Sequence, residues 1–211
     1  MRKGEETRER LLAIAEASVL AKGFGATSIE EIIAEAGITK SGFFYHFRDK
    51  NELARSMIVR YDEEHRRIFE SVFGRAEMLA DGDPLQSLLI GLKLLAETMA
   101  DLPNGHPGCL IASITYQERL FDRQVVALMV ETVRHWNEFM RQRIAAAAAV
   151  YGGLDDDEIG RLARMIYCAV DGGIVMGRAL DDPSILPEQI LMARNHIKML
   201  FQHALSARRA A

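Results

Sequence analysis

A chain of 211 residues, 49% hydrophobic and 27% charged, can bury a core of its own and has the balance of an ordinary water-facing protein. Two cysteines, Cys109 and Cys168, exclude a disulfide framework, and no Cys/His cluster carries metal-site spacing, so no cofactor is expected. The start MRKGEETRERL lacks a signal peptide's apolar core, and the longest apolar run, Ile144 to Tyr151, falls well short of the roughly 18 residues of a membrane span; a cytoplasmic protein with no membrane partner is expected.

The first predicted helix runs from about Glu5 to Lys22, with Leu11, Leu12, Ala15 and Val19 as its buried stripe and Gly23 as its stop. Phe24 then turns back onto the core. Thr27 and Glu30 have capping-box spacing at the start of a second helix, in which Ile29, Ile32, Ile33 and Ala36 recur on one face. Gly37 suits the left-handed stop of that helix, and Thr39 caps a third, short helix from Lys40 to about Phe47. Asp49 and Glu52 repeat the cap spacing at once. Two short helices across a glycine turn predict a helix-turn-helix.

The fourth helix, starting at Lys50, meets no breaker before Gly74, and Leu53, Met57, Tyr61, Ile68 and Val72 mark its inner side. Asp83 caps a fifth helix with Pro84 in its first position, ending near Leu102 before the turn cluster PNGHPG. A sixth begins near Cys109 and stops before Asp122; a seventh extends from Asp122 to about Tyr151, ended by Gly152 and Gly153. The acidic run 155–157 starts an eighth, to about Leu180, and a ninth covers about Pro187 to Ala207, with Ile190, Leu191, Ile197, Leu200 and Leu205. Glycine inside a helix costs about 1 kcal/mol against alanine, so Gly172, Gly173 and Gly177 call for the close approach of another helix. The fold expected is all-α with about nine helices, divided into residues 1–50 and a larger helical body, 51–211.

The short third helix cannot fold alone, because its few hydrogen bonds do not offset nucleation. Phe43 and Phe47, four apart, are its expected anchors. That leaves Lys40, Ser41, Gly42, Phe44, Tyr45 and His46 on the outside, near Arg48 and Lys50. Double-stranded DNA supplies what such a surface lacks: phosphates for cations, base edges and methyl groups for rings and small residues. Residues 1–50 hold as many Lys/Arg as Asp/Glu, so the net charge of −4 arises beyond them. Arg2, Lys3, Lys40, Arg48 and Lys50 can therefore line one basic surface. Thr27 and Lys50, at helix N-termini, are the expected phosphate contacts, with Ser28 and Thr39 beside them.

The run GFGATSIEEIIAEAGITKSGFFYHFRDKNEL, Gly23 to Leu53, resembles the TetR/AcrR family of transcriptional regulators over about a seventh of the chain. It departs at Gly42, where the family usually has threonine, serine or alanine, and at Phe44, where it usually has tyrosine. The resemblance implies a homodimeric repressor on a palindromic operator, released by a small-molecule effector. It implies a pocket among the fourth to eighth helices, with Met99, Cys109, Tyr116, Trp136, Phe139, Met140 and Tyr167 as lining. It also implies pairing of the last two helices with their symmetry mates, for which Gly173, Met176, Gly177, Ile190 and Ile197 are the candidates.

Cys109 follows His106-Pro107-Gly108 at a predicted helix start, where the helix dipole favours thiolate. Its GCL string resembles oxidant- and electrophile-sensing members of the family, so a redox-sensing repressor is the alternative; Cys168 reads as packing. No enzyme is expected. Asp62/His65 and Glu131/His135 have ligand spacing but not the paired Glu-x-x-His motifs of a di-iron bundle, and no nucleophile elbow or phosphate loop is present. The rival class is a helical protein-interaction module using the exposed rings.

Overall fold

The computed structural model describes residues 3–210, with side chains placed for 4–203 and for Ser206, and these residues are all helical or in connecting turns. In order they form α1 (Lys3–Lys22), α2 (Ile29–Ala36), α3 (Lys40–His46), α4 (Lys50–Leu79), α5 (Pro84–Ala100), α6 (Leu110–Thr115), α7 (Arg123–Tyr151), α8 (Asp156–Leu180) and α9 (Ile185–Ala210), with a 3-10 turn at Glu118–Leu120 between α6 and α7. The caps read from sequence recur at Thr39 and Asp83, whose side chains accept the N–H groups of Gly42 and of Leu85 and Gln86, and within the acidic run Asp155 proves to be the cap of α8, accepting the Glu158 N–H.

Two elements, α4 and α6, differ from expectation. α4 continues through Gly74 to Leu79, because a helical glycine with nothing within 4 Å weakens a helix without ending it. Ile68, expected inside, is exposed. The sixth helix is a single short piece followed by the 3-10 turn. Leu205 lies outside the described side chains.

Packing divides the chain into two compact units, one of Met1–His65 with Cys109–Thr132 and one of Arg66–Gly108 with Val133–Ala211. This grouping differs from the division at residue 50. In the first unit α1 packs on α2 and α6, and α2 on α3. Leu11, Leu12, Ala15, Val19, Ile32, Phe43, Phe47, Leu53 and Met57 are buried there. The start of α4 is tied to α1: Arg60 lies 3.5 Å from both Glu9 and Glu16, and Arg8 donates to Ser56 at 2.8 Å. Burial raises the Glu16 carboxyl above its ordinary value, and Arg60 opposes that rise.

In the second unit α9 packs on both α8 and α5, around Leu88, Leu92, Ile166, Ile190, Ile197 and Phe201. Two helical glycines of α8, Gly173 and Gly177, owe their place to this chain's own packing. A Cβ at Gly173 would stand 3.0 Å from Leu186 Cα, and one at Gly177 3.0 Å from the Asp182 carbonyl oxygen. Gly173, Ile190 and Ile197 are accordingly interior, which corrects their assignment to an interface between copies. Gly172, by contrast, is exposed with open space around it.

Gly91 gives a direct test of the core, since a Cβ there would lie 2.3 Å from the buried Phe73 ring. Gly91→Ala should lower stability by about 1–3 kcal/mol through overpacking. Gly74→Ala, in open space within α4, should raise it by about 0.5–1 kcal/mol through helix propensity. Thermal unfolding of the two variants must move Tm in opposite directions.

Candidate functional site

The helix-turn-helix is assembled from three local devices. Ser28, not Thr27, is the N-cap of α2: its Oγ accepts the Glu31 N–H while the Glu31 carboxylate accepts the Ser28 N–H, a complete capping box. Gly37 ends α2 in the left-handed conformation, φ 63°, donating its N–H back into the last turn. Thr39 Oγ1 then caps α3 at 3.1 Å from the Gly42 nitrogen and shares a 3.0 Å hydrogen bond with Ser41.

Thr27 is only 1% exposed; its hydroxyl donates to the Gly23 carbonyl and meets Ser18 Oγ at 3.0 Å. It holds the α1–α2 turn shut and cannot reach a phosphate, so the contact expected of it falls away. The one-residue shift passes the role of presenting the α2 N-terminus to Ser28.

α3 is pinned from behind. Phe43 and Phe47 are both fully buried with rings 5.6 Å apart, and the Arg8 guanidinium lies 5.1 Å over Phe47. The same register turns Phe44 (44% exposed) and Tyr45 (84%) outward, with His46 half-buried against the Tyr45 ring. A side chain at Gly42 would meet only ordinary contacts, so the bare backbone there is not a packing requirement. Burial, then the nearby Arg8 charge, lowers the His46 pKa, which favours the neutral ring as both donor and acceptor.

The cations around α3 are poised differently from one another. Lys40 is exposed and makes a 3.2 Å ion pair with exposed Glu30, a contact worth little and easily exchanged for a phosphate. Lys50 is half-buried: its ammonium donates to the Phe24 carbonyl at 2.7 Å and sits 4.3 Å over the Phe24 ring, and burial lowers its pKa. One of its three donors is therefore committed to the turn. Arg48 is exposed and engages Asp49 at 3.3 Å. Arg2 and the Lys3 side chain lie outside the described residues.

Behind this surface, residues 117–122 grip the α1–α2 turn. Gln117 Oε1 accepts the Gly25 N–H at 2.9 Å, and its Nε2 occupies the space a Cβ would need at Gly23, whose φ is +84°. Phe121 stacks on Phe24 at 4.3 Å; Asp122 receives Arg55 at 2.6 Å and its own N–H reaches Asn51. Sequence reasoning missed these positioning residues, because no local period marks a contact between residues ninety apart.

The expected effector lining is divided between the two units. Cys109 and Tyr116 belong to the first unit; Met99, Trp136, Phe139, Met140 and Tyr167 belong to the second. Tyr116 is 86% exposed, which removes it from any enclosed pocket. Cys109 is buried, caps α6 through the Ala112 N–H at 3.4 Å, and is hydrogen-bonded to Tyr61 of α4. Cys168 is exposed rather than packed. In the second unit Trp136 and Tyr167 face each other at 5.9 Å, whereas Phe139 is taken up between Phe69, Phe73 and the Arg143 guanidinium, 3.6 Å over its ring. Asp171, unmarked in the sequence reading, lies one turn beyond Tyr167 on α8 and has a buried Oδ1 with no hydrogen-bond partner. Among the described residues no three His, Cys, Asp or Glu side chains are grouped as metal ligands would be, and no helix is long and apolar enough to cross a membrane.

A short helix held rigid at its back and bare at its front, one tight turn from a second capped helix, defines a helix-turn-helix DNA-binding regulator. Residues 11–57 match the family model for bacterial regulatory proteins, tetR family. The transcriptional regulator AcuR of Cereibacter sphaeroides is 23% identical over 74% of this chain and 69% of its own length. A TetR transcriptional regulator from Chloroflexus aurantiacus superposes with TM-score 0.77 at 24% identity, over 94% of this chain and 97% of that one. The reduced form of E. coli NemR superposes with TM-score 0.73 at 17% identity, over 90% and 96%. Residues 11–57 thus carry the DNA-binding module of the tetR family, and the fold of the rest is that of solved TetR-family regulators.

The capping box carries a measurable titration. The Lys22 ammonium, 2.8 Å away, and then the Ser28 N–H hold the Glu31 carboxyl at about 2. A depressed folded pKa contributes stability above the ordinary value of 4.5 that is lost as pH falls toward 2. NMR titration of the Glu31 carboxyl carbon should place its midpoint near 2, and Lys22→Met or Ser28→Ala should each move it upward. Ser28→Ala should also cost about 1 kcal/mol of stability at neutral pH.

Proposed function

We propose that this regulator represses transcription as a homodimer on a palindromic operator and is released by a small-molecule effector. The observation that carries the reading is α3 itself, whose outward Phe44, Tyr45 and His46 are presented by two fully buried phenylalanines. Ser41, Gly42, Tyr45 and His46 would enter the major groove, with Lys40 at its edge against a phosphate. Ser28, Thr39 and Lys50 would meet the backbone, where helix N-termini favour phosphate. Residues 1–50 would form the DNA-binding domain. A cytoplasmic location accords with this role.

One recognition helix reads few base pairs, so two copies about 34 Å apart supply specificity. The surface for pairing them is the outer face of α8 and α9, where Val175, Met176 and Leu180 on one helix and Leu191, Met192 and Met199 on the other stand exposed. Met176 remains from the sequence-based set. An effector in the second unit would use the Trp136–Tyr167 pair, with Asp171 as a polar group; it acts only by preferring the conformation in which α4 carries the recognition helices off register.

A second reading has its own support: Cys109 joins the α6 cap to Tyr61 on α4, so adding oxygen or an adduct to its buried sulfur would displace α4 directly. NemR, named a transcriptional repressor, is 35% identical over 66 residues, and its likeness here extends to the fold.

Two outcomes are expected in operator titrations. Lys40→Ala should weaken binding to all DNA alike and lower the salt slope by about one per subunit. Tyr45→Ala should narrow the gap between operator and unrelated DNA by roughly 10-fold. Binding indifferent to salt would instead favour a protein-interaction module. For pairing, Met176→Glu with Met192→Glu should give a monomer in sedimentation equilibrium; a dimer that persists would move the interface elsewhere.

A further inference from the structure

The outer surface of the second unit carries a groove between α7 and α8, about 480 Å³ in volume, that neither the DNA face nor the effector reading uses. Its floor is apolar, from Val133 and Ala163, and three arginines line it: Arg134 and Arg141 from α7 and Arg164 from α8. Arg141 is neutralised by Glu138 at 2.9 Å and Asp156 at 2.7 Å. Arg134 and Arg164 are exposed and have no carboxylate partner among the described residues, which leaves two positive charges lining one trough, one from each helix.

Gly160 makes the room. It lies in the lining, and a Cβ there would meet only Arg164 Nη1, at an ordinary 3.5 Å. Gly173 and Gly177 are explained by the backbone that presses on them, but no neighbour requires glycine at 160. Its cost to α8 is not offset by packing, and what it provides is an open wall.

We propose that this groove binds a small organic anion with an apolar body, of the alkyl or aryl carboxylate type. The guanidinium groups of Arg134 and Arg164 receive the carboxylate, and Val133, Ala163 and the bare Gly160 backbone receive the body. Guanidinium forks match carboxylates in two-point hydrogen bonding, and unpaired arginine keeps its full charge for the ligand. A trough of this size suits a ligand of about ten to twenty heavy atoms. The proposal is independent of operator binding.

The test uses the full-length protein with sodium decanoate below its micelle concentration, followed by methyl NMR at Val133 and Ala163. Decanoate should shift both methyl sets with a saturable Kd, and decanol at equal concentration should not. Arg134→Glu with Arg164→Glu, both on the surface, should weaken binding at these methyls at least 10-fold. Gly160→Leu should do the same by filling the trough. Unchanged decanoate affinity in the charge-reversed protein, or equal shifts with decanol, would overturn the assignment. Shifts at Trp136 and Tyr167 with none at Val133 and Ala163 would overturn it equally, placing the anion in the effector site.

Discussion

A seven-residue helix has too few internal hydrogen bonds to persist by itself, so α3 exists only because Phe43 and Phe47 are removed from water. Each such ring contributes about 1.5–3 kcal/mol on burial, enough to outweigh nucleation. Their spacing of four fixes the rotation of α3 about its axis. Once that rotation is set, Tyr45 has nowhere to point but outward. Stability and recognition are thus two faces of one constraint: the residues that hold the helix decide which residues it offers.

The same dependence continues outward through the first unit. α3 rests on a frame whose α1–α2 turn is held from inside by Thr27, from above by Lys50 and from the side by Gln117 and Phe121. These contacts are short and polar where they meet backbone, and aromatic where they meet Phe24. Polar contacts of this kind have defined geometry and switch between discrete arrangements rather than stretching. A displacement of residues 117–122 would therefore reach α2 and α4 together, through Gly25 in one case and through Asn51 and Arg55 in the other. Packing accordingly gathers these residues with the N-terminal helices, although they lie some seventy to ninety-five positions away in the chain.

How much of this was legible depended on the range of the interaction. Gly37, Thr39, Asp83 and the phenylalanine pair announce themselves within a few residues, because caps and helix faces are local devices. Thr27 was misread for a local reason too. Thr27-Ser28 and Glu30-Glu31 offer two overlapping capping boxes, and only the burial of Thr27 against Ser18 decides between them. Of the glycines of α8, Gly173 rightly signalled a helix close by and Gly172 did not, and composition cannot say whether such a helix belongs to the same chain. Leu186 answers for Gly173, and the interface reading moves to exposed residues such as Val175 and Met192, which in a sequence look like any other apolar positions. Gln117 and Asp171 carry no pattern at all. Their roles come from what folding sets beside them, or leaves them without.

A protein of net charge −4 that binds a polyanion must keep its carboxylates from opposing the approach. α2 shows how. Its first turn holds Glu30 and Glu31, and each is engaged: Glu30 with Lys40, Glu31 with Lys22 and the Ser28 N–H. Both carboxyl pKa values are lowered, so both remain ionised and available as partners across the neutral range. The two arrangements differ in what they permit. Glu31 is locked by a cap and stabilises the helix whether or not DNA is present. Glu30 holds Lys40 only by an exposed pair, which salt screens and a phosphate can replace. Exchange leaves Glu30 without its partner while Lys40 gains another, so the net attraction of α3 for DNA is the difference between two ion pairs rather than the full strength of one. On the proposed DNA face, an arrangement of that kind would keep non-specific affinity modest and leave discrimination to the uncharged groups, Tyr45 and His46, that depend on the sequence beneath them.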